Sequence, residues 1–492
     1  MLVLHVCAEV YPLLKTGGLA DVTAALPSAL IARGCDVRLL LPGFPAVCAG
    51  VAQRRVVATL PKRFGAATIR LTLGLLANGV QAYVIEAPEL YDRPGNPYAD
   101  ADNHAYADNH RRFALLGWVA SQLAQGLDPA WKVQVVHAHD WHAGLAAAYM
   151  KADANAQGRK PVASVITVHN LAYQGVFGYD IFHELGLPDT FFGIDGVEFH
   201  GQVSFLKAGL FYADRITTVS PTYAQEIQQP EQGCGLDGLL RSRAADLVGI
   251  LNGVDAAVWS PAHDPVIAAR YDGSALEGKT ICRTALQTET GLAVQDMAPV
   301  FGVVSRLTNQ KGLQLVIDEM EDIVALGGQL VLLGTGDATL EAAFVALAAA
   351  HPTAVSVEIG YDEAKAHRIV AGCDVILVPS HFEPCGLTQL YGLAYGTLPL
   401  VRRVGGLADS VVDCTAKNTA AATAPGFVFD GFTKVAFAAA VRRAFALFER
   451  RNDWRRLQQQ AMQQCFGWDA AACKMLSLYE QIATQVGATD VA

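Results

Sequence analysis

No two of the ten cysteines are spaced as C-x-x-C, and the gaps between them are irregular. That argues against a thiolate zinc site and against a disulfide framework, and leaves reduced thiols as the expectation. Positive charge is scarce as well: 37 Lys and Arg stand against 47 Asp and Glu, a formal balance of −10. Overall charge therefore recruits neither nucleic acid nor an anionic membrane surface. Long hydrophobic runs are missing. The longest uncharged stretches, 161–179 and 384–401, are broken by Gly, Asn, Gln or Pro and do not read as membrane spans. No basic segment opens the chain, whose first Lys or Arg is Lys15, so a cytoplasmic protein is expected rather than one with a secretory signal.

What is present is apolar material in short pieces. Hydrophobic residues make up 52% of the 492 and charged residues 17%, which places the chain far from disorder. At roughly 150 residues per domain the length suggests two to four domains. Short runs rich in Val, Ile and Leu recur, each ending in Gly, Asn, Asp, His or Ser and followed by a helical stretch. The pattern predicts parallel sheets in an α/β protein. In the first half the predicted strands are 2–6, 36–41, 133–137, 164–168, 215–219 and 248–251. The second half restarts the pattern at 300–304, 329–333, 354–359, 375–378 and 398–401. Two doubly wound parallel-sheet domains follow, 1–253 and 254–467, with an amphipathic helical tail over 468–492. No Gly/Ser linker separates them, so packed halves facing a cleft are expected.

Ligands of open α/β sheets bind beyond the carboxyl ends of strands, where strand order reverses, so chemistry is sought there. After the first strand comes Lys15-Thr-Gly-Gly18, whose glycines expose backbone N–H groups at a helix start beside a cation. It matches neither the G-x-G-x-x-G nor the P-loop pattern. After strand 300–304 come Arg306 and Lys311, a planar fork and a point charge suited to a diphosphate. After strand 375–378 comes Glu383-Pro-Cys385-Gly386-Leu387-Thr388, a turn whose amides open a helix toward a phosphate. Glu383 just outside it suits a sugar hydroxyl, or a helix dipole.

His137-Ala-His139-Asp140-Trp-His142 resembles a string of metal ligands, since His137 and His139 share a strand face. Its Asp is adjacent to the second His, unlike the H-x-H-x-D-H run of dinuclear hydrolases, and no second cluster follows. No metal is expected there. Polar tips that meet a hydroxylated ligand are expected instead, with His169 ending the next strand in the same way. Asp100-Ala-Asp102 reads only as a solvated loop.

Taken together, KTGGLADV, HAHDWHAGL, TVHNLAYQG, SFLKAGLFYAD, LNGVD, VVSRLTNQKG, LLGTGD and EPCGLTQLYGLAYGTLPLVRRVGGLADSV resemble the bacterial glycogen synthases. These are retaining glycosyltransferases of the two-Rossmann-domain GT-B type. The strings run in order from Lys15 to beyond Val411. The resemblance implies an ADP-glucose:1,4-α-D-glucan 4-α-glucosyltransferase that elongates glycogen or an α-1,4-glucan primer, with no cofactor and no metal. It implies that Lys15 and Gly18 contact the donor and that Asp140 and His169 face the glucose and acceptor, with His142 a weaker counterpart. Arg306 and Lys311 would bind the diphosphate, Glu383 would be the catalytic carboxylate, and Cys385, Gly386, Leu387 and Thr388 would follow it in the donor loop. Tyr361 would stack on the adenine. The second Glu of the wider E-x7-E signature is Tyr391 here, as in glycogen and starch synthases. An epimerase or hydrolase on the same fold, a non-catalytic glucan binder, and a UDP-glucose-dependent enzyme are the rival readings.

Overall fold

The computed structural model describes residues 1–102, 104–415, 417–418 and 425–488. They form two compact units, one of Met1–Gly253 with the segment from Trp468 onward, the other Val254–Gly467.

Twelve strands belong to the first unit: β1 (Leu2–Val6), β2 (Asp36–Pro42), β3 (Ala52–Leu60), β4 (Ile69–Leu75), β5 (Gln81–Glu86), β6 (Val135–His139), β7 (Ala163–Val168), β8 (Val176–Phe177), β9 (Glu198–Phe199), β10 (Gln202–Ser204), β11 (Arg215–Thr218) and β12 (Leu247–Gly249). Nine of them make one sheet in the order β12-β11-β7-β6-β1-β2-β5-β4-β3, and β8, β10 and β9 make a small separate one. The long sheet is parallel from β12 to β5. Strands β4 and β3 then extend it antiparallel. This extension escapes the sequence pattern because β3, AQRRVVATL, is exposed over most of its length and shows no apolar run. Its charged edge suits a strand with one side unpaired. Strand 6 also starts two residues later than its apolar pattern predicts, because pairing with β1 sets in at Val3↔Val135. A shift of two keeps every side chain on its face, so His137 and His139 still point the same way.

The helix Trp468–Ala488 closes this unit. Trp468, Ala471, Ala472, Met475, Leu478, Tyr479 and Ile482 recur at helical spacing and are buried against Val22, Leu26, Leu30, Val135 and Val165. At about 1.5–3 kcal/mol for each large apolar side chain, that stripe is what holds the helix on this unit. The last four residues of the expected tail, 489–492, lie outside the described residues.

The second unit holds β13 (Val300–Val304), β14 (Gln329–Gly334), β15 (Val355–Ile359), β16 (Val375–Val378), β17 (Leu398–Arg402) and β18 (Phe427–Phe429). Their order is β15-β14-β13-β16-β17-β18, all parallel. Numbered within the unit this is 3-2-1-4-5-6, the doubly wound dinucleotide-fold order. The reversal falls between β13 and β16, whose central residues are almost wholly buried. In the first unit it falls between β1 and β6. Among the described residues, no helix is long and apolar enough to cross a membrane.

Candidate active site

Both reversal points carry the residues singled out from sequence. In the first unit β1 runs out into a buried carboxylate, Glu9, which accepts hydrogen bonds from the Thr16 N–H and hydroxyl at 2.6 Å each and from the Tyr98 hydroxyl. These bonds pin the Lys15–Gly18 loop. Lys15 itself pairs with Asp21 at 3.1 Å and lies 5.2 Å from the centre of the Tyr11 ring. Gly18 opens the 14-residue helix Gly18–Ile31. At Gly17 the backbone is extended and an added Cβ would meet nothing within 4 Å. Neither dihedral nor packing requires glycine there, so the open space in front of it is what a side chain would fill.

At the end of β6, Asp140 adopts a left-handed φ of 54°, a conformation that Asp tolerates better than most residues. Its Oδ1 accepts the His169 N–H at 2.7 Å and the Asn170 N–H at 3.4 Å. Asp140 therefore shapes the end of β7 from its buried place at the end of β6. Burial pushes its carboxyl up to about 7, with the Glu9 charge adding to the rise and the two amides opposing it. His169 is half-buried, and desolvation holds its imidazole well below the ordinary range. His142 lies inside an aromatic nest, stacked 4.7 Å from Tyr98 and packed on Phe113 and Trp141. Its buried Nδ1 has no hydrogen-bond partner. Such an orphan costs about 1–3 kcal/mol until a hydroxyl or water meets it.

In the second unit the loop after β13 nests against the loop after β16. Gly312, at φ +64°, makes that possible, since a Cβ there would come 2.2 Å from the Pro379 carbonyl oxygen. The His381 N–H donates to the Gln310 carbonyl at 2.8 Å, closing the two loops together. Glu383 is thereby brought to Lys311, Oε2 to Nζ 2.7 Å, and it also accepts the Ser380 hydroxyl at 2.8 Å. Both partners are largely buried, at 18% and 7% side-chain exposure. A pair taken this far out of water holds together only with good geometry and further hydrogen bonds, and Ser380 supplies one. From below, Gly405 and Gly406 press on the same turn: a Cβ on Gly405 would sit 2.0 Å from the Glu383 carbonyl oxygen. The Gly406 N–H donates to the carbonyls of Glu383 and Pro384, both at 3.1 Å.

Lys311, Glu383, Gly386, Leu387 and Thr388 line one small pocket, together with Ser305 and Ser380. The helix Thr388–Ala394 begins at its wall. Cys385 is buried beneath, its carbonyl accepting the Gln389 side-chain amide at 3.1 Å. Arg306 is exposed on the same loop and is not part of that lining. Tyr361 follows β15, two strands away from β13; the residue is 67% exposed and its hydroxyl donates to Glu363. Tyr391, in place of the second signature Glu, stacks face to face on Trp259 at 3.8 Å, and Trp259 stacks in turn on His367 at 3.7 Å.

The sequence reading missed Glu9, Tyr98, Ser380, Gly405 and Gly406. Glu9 was open to discovery, because it lies just past the first strand at a reversal point. Tyr98 meets Glu9 across 89 residues and Gly405 and Gly406 meet the Glu383 turn across more than twenty, whereas Ser380 lies only three residues before Glu383 and was open to discovery too.

Two Rossmann-like units, each with polar or charged groups at its reversal point, make the architecture of the GT-B glycosyltransferases. Residues 2–242 match the starch synthase catalytic domain family and residues 289–460 match glycosyl transferases group 1. The chain is 58% identical over 484 residues to the glycogen synthase of Francisella philomiragia, covering 98% of this chain and 100% of that one. It is 56% identical to that of Francisella tularensis subsp. novicida, with 98% and 99% covered. The catalytic domain of starch synthase IV from Arabidopsis thaliana, bound to ADP and acarbose, superposes with a TM-score of 0.89 at 30% identity, over 98% of this chain and 99% of that one. Sucrose-phosphate synthase from Thermosynechococcus elongatus, at 16% identity and a TM-score of 0.57 over 98% of this chain and 99% of that one, shares the fold. The chain belongs to the glycogen synthase family of glucosyltransferases.

Proposed function

We propose that the protein transfers glucose from ADP-glucose to the 4-hydroxyl at the non-reducing end of an α-1,4-glucan, retaining the α configuration and so elongating glycogen. The observation that carries this reading is the Lys311–Glu383 pair in its pocket at the reversal point of the second unit. A leaving diphosphate needs fixed positive potential, which Lys311, Arg306 and the amides of Gly386, Leu387 and Thr388 supply without a metal. Lys15 and Gly18 add to it from the first unit. Glu383, Asp140 and His169 serve the glucose, by accepting its hydroxyls and offsetting positive charge as the C1–O bond to ADP breaks. The acceptor oxygen attacks C1 as ADP departs, and its proton passes to a phosphate oxygen of the leaving group. Glu383 and Asp140 stand in different units and Glu383 is already held by Lys311 and Ser380, which disfavours a covalent glucosyl-enzyme on it.

In this reading the first unit is the acceptor side and the second unit holds the nucleotide sugar. Cys385 supports the donor loop from beneath, and the exposed Tyr361 ring offers a face to adenine. The orphan Nδ1 of His142 supports a hydroxylated ligand in the first unit. All ten cysteines are free thiols, which supports a cytoplasmic location.

The test is incorporation of labelled glucose into glycogen from ADP-glucose and from UDP-glucose, with chelator present. Chelator-insensitive incorporation from ADP-glucose is expected. Incorporation from UDP-glucose alone overturns the donor, and release of free sugar or an epimer without glucan growth overturns the reaction.

A further inference from the structure

An unbroken chain of hydrogen bonds runs under the first unit's site to the C-terminal helix. His169 Nε2 lies 3.0 Å from His139 Nδ1, and His139 Nε2 lies 3.0 Å from His5 Nδ1. His5 Nε2 is 3.3 Å from the Tyr479 hydroxyl, which is 2.6 Å from His137 Nδ1. His137 Nε2 continues to the Thr167 hydroxyl at 2.6 Å, and that to the Thr217 hydroxyl at 2.6 Å. The β1–β6 register places His5 beside His137, so the two strands and the helix build the chain together.

Burial holds the imidazoles of His5, His137, His139 and His169 below their ordinary range and the Tyr479 phenol well above its own, so each is neutral at pH 7. A neutral imidazole has one N–H and a hydroxyl one O–H. A hydroxyl can take two bonds, but one arrangement fills every link down to a terminal carbonyl: each member gives one bond and takes one, all in the same direction. The far end sets the direction: the Thr217 hydroxyl reaches the Ile166 carbonyl, which only accepts, at 3.5 Å. Protons then point away from His169 along the whole chain. A cation is the rival occupant, since ligand atoms of His5, His137 and His139 lie within 4.8 Å of one another. Yet all six ring nitrogens of these three residues already carry a hydrogen bond in the chain, which an ion would have to displace.

We propose that Tyr479 is a positioning residue for the transfer: through His5 and His139 it holds His169 as the Nε2–H tautomer, leaving Nδ1 as the acceptor that meets a hydroxyl of the donor sugar. This rests on the reading of His169 as a sugar-facing group. Tyr479 sits in the middle of the chain, so removing its hydroxyl cuts the links and frees the polarity of the His169 end.

The experiment is imidazole nitrogen NMR on the full chain with histidine-selective 15N labelling, alongside transfer kinetics. The wild-type spectrum is expected to show His169 as Nε2–H alone. Tyr479→Phe keeps the ring in its apolar seat; in it both tautomers of His169 are expected, with kcat lowered about tenfold and KM for the glucan unchanged. A folded Tyr479→Phe with the same His169 spectrum and the same kcat overturns the proposal. If that variant does not fold, the wild-type protein still decides: mixed tautomers, Nδ1–H, an imidazolium, or stoichiometric bound metal overturns it. His169→Ala separates the two readings. Full activity there defeats the sugar-facing role, whereas lost activity there with an unaltered Tyr479→Phe defeats the chain alone.

Discussion

The two reversal points bring opposite electrostatics to the ends of similar sheets. In the second unit the groups are charged: Lys311 against Glu383 at 2.7 Å, beside a helix start and the exposed Arg306. In the first unit the ends of β6 and β7 carry groups that burial keeps neutral, His142 and His169, with Asp140 raised to about 7, and the cation Lys15 lies apart from them on the loop after β1, paired with Asp21. Fixed charge suits a diphosphate, whose own charge changes as its bond to glucose breaks. Neutral donors and acceptors suit the sugar, where direction counts for more than potential. The same fold yields both because the strand ends, and not the sheet, choose the chemistry.

Glu383→Gln breaks the comparison most severely. It leaves Lys311 without its carboxylate, and kcat for glucose transfer is expected to fall about 10²–10³-fold, read from initial rates on folded protein. Next come the glycines. Gly405→Ala puts a Cβ 2.0 Å from the Glu383 carbonyl at a left-handed φ of 42°, so a loss of about 2–3 kcal/mol in chemical denaturation is expected, with activity lost as the turn shifts. Gly17→Ala meets nothing within 4 Å, so unaltered stability with a raised KM for the donor is expected. Equal melting temperatures for Gly405→Ala and Gly17→Ala would erase the contrast between packed and open glycines.

Asp140 sharpens the neutral side. Its ionised form is the one that offsets charge on the sugar, so kcat/KM is expected to rise as pH passes through about 7, and this limb is expected to vanish in Asp140→Asn. The stability sign is opposite. The folded carboxyl keeps its proton longer than the unfolded chain, whose Asp titrates near 3.9, so its contribution favours folding most at low pH and is lost between roughly pH 4 and 7. Denaturant melts of wild type and Asp140→Asn across that range check it. The smallest effect expected is that of Tyr361→Ala, about a fivefold rise in KM for the donor with kcat kept, from the loss of one exposed stacking face.

Much of the charged side was legible in the sequence. Lys311 and Glu383 sit on loops directly after apolar runs, and strands 300–304 and 375–378 fall where those runs place them. Local pattern carries such information because a buried parallel strand is a continuous apolar run. The antiparallel strands β3 and β4 carry mixed or exposed residues and leave little trace, and the pattern also missed two buried parallel strands, β5 and β18. The neutral side was half legible. His169 and Asp140 announce themselves at strand tips, but what holds them does not: the bond from His137 to Tyr479 spans 342 residues, and no window of sequence contains both. Glu9 and Tyr98 likewise meet across 89 residues. Polar groups that close over such distances are set by packing, after the fold exists.

The central claim is that charged and neutral strand ends serve a single transfer from one donor. The most direct test is kcat/KM for ADP-glucose, with glycogen as acceptor, in full-length Lys15→Ala and Lys311→Ala. Both values are expected to fall at least about tenfold, because the proposed function assigns Lys15 and Lys311 alike to the donor. A wild-type value in either variant, with the other impaired, would contradict the claim and assign the donor to one unit alone.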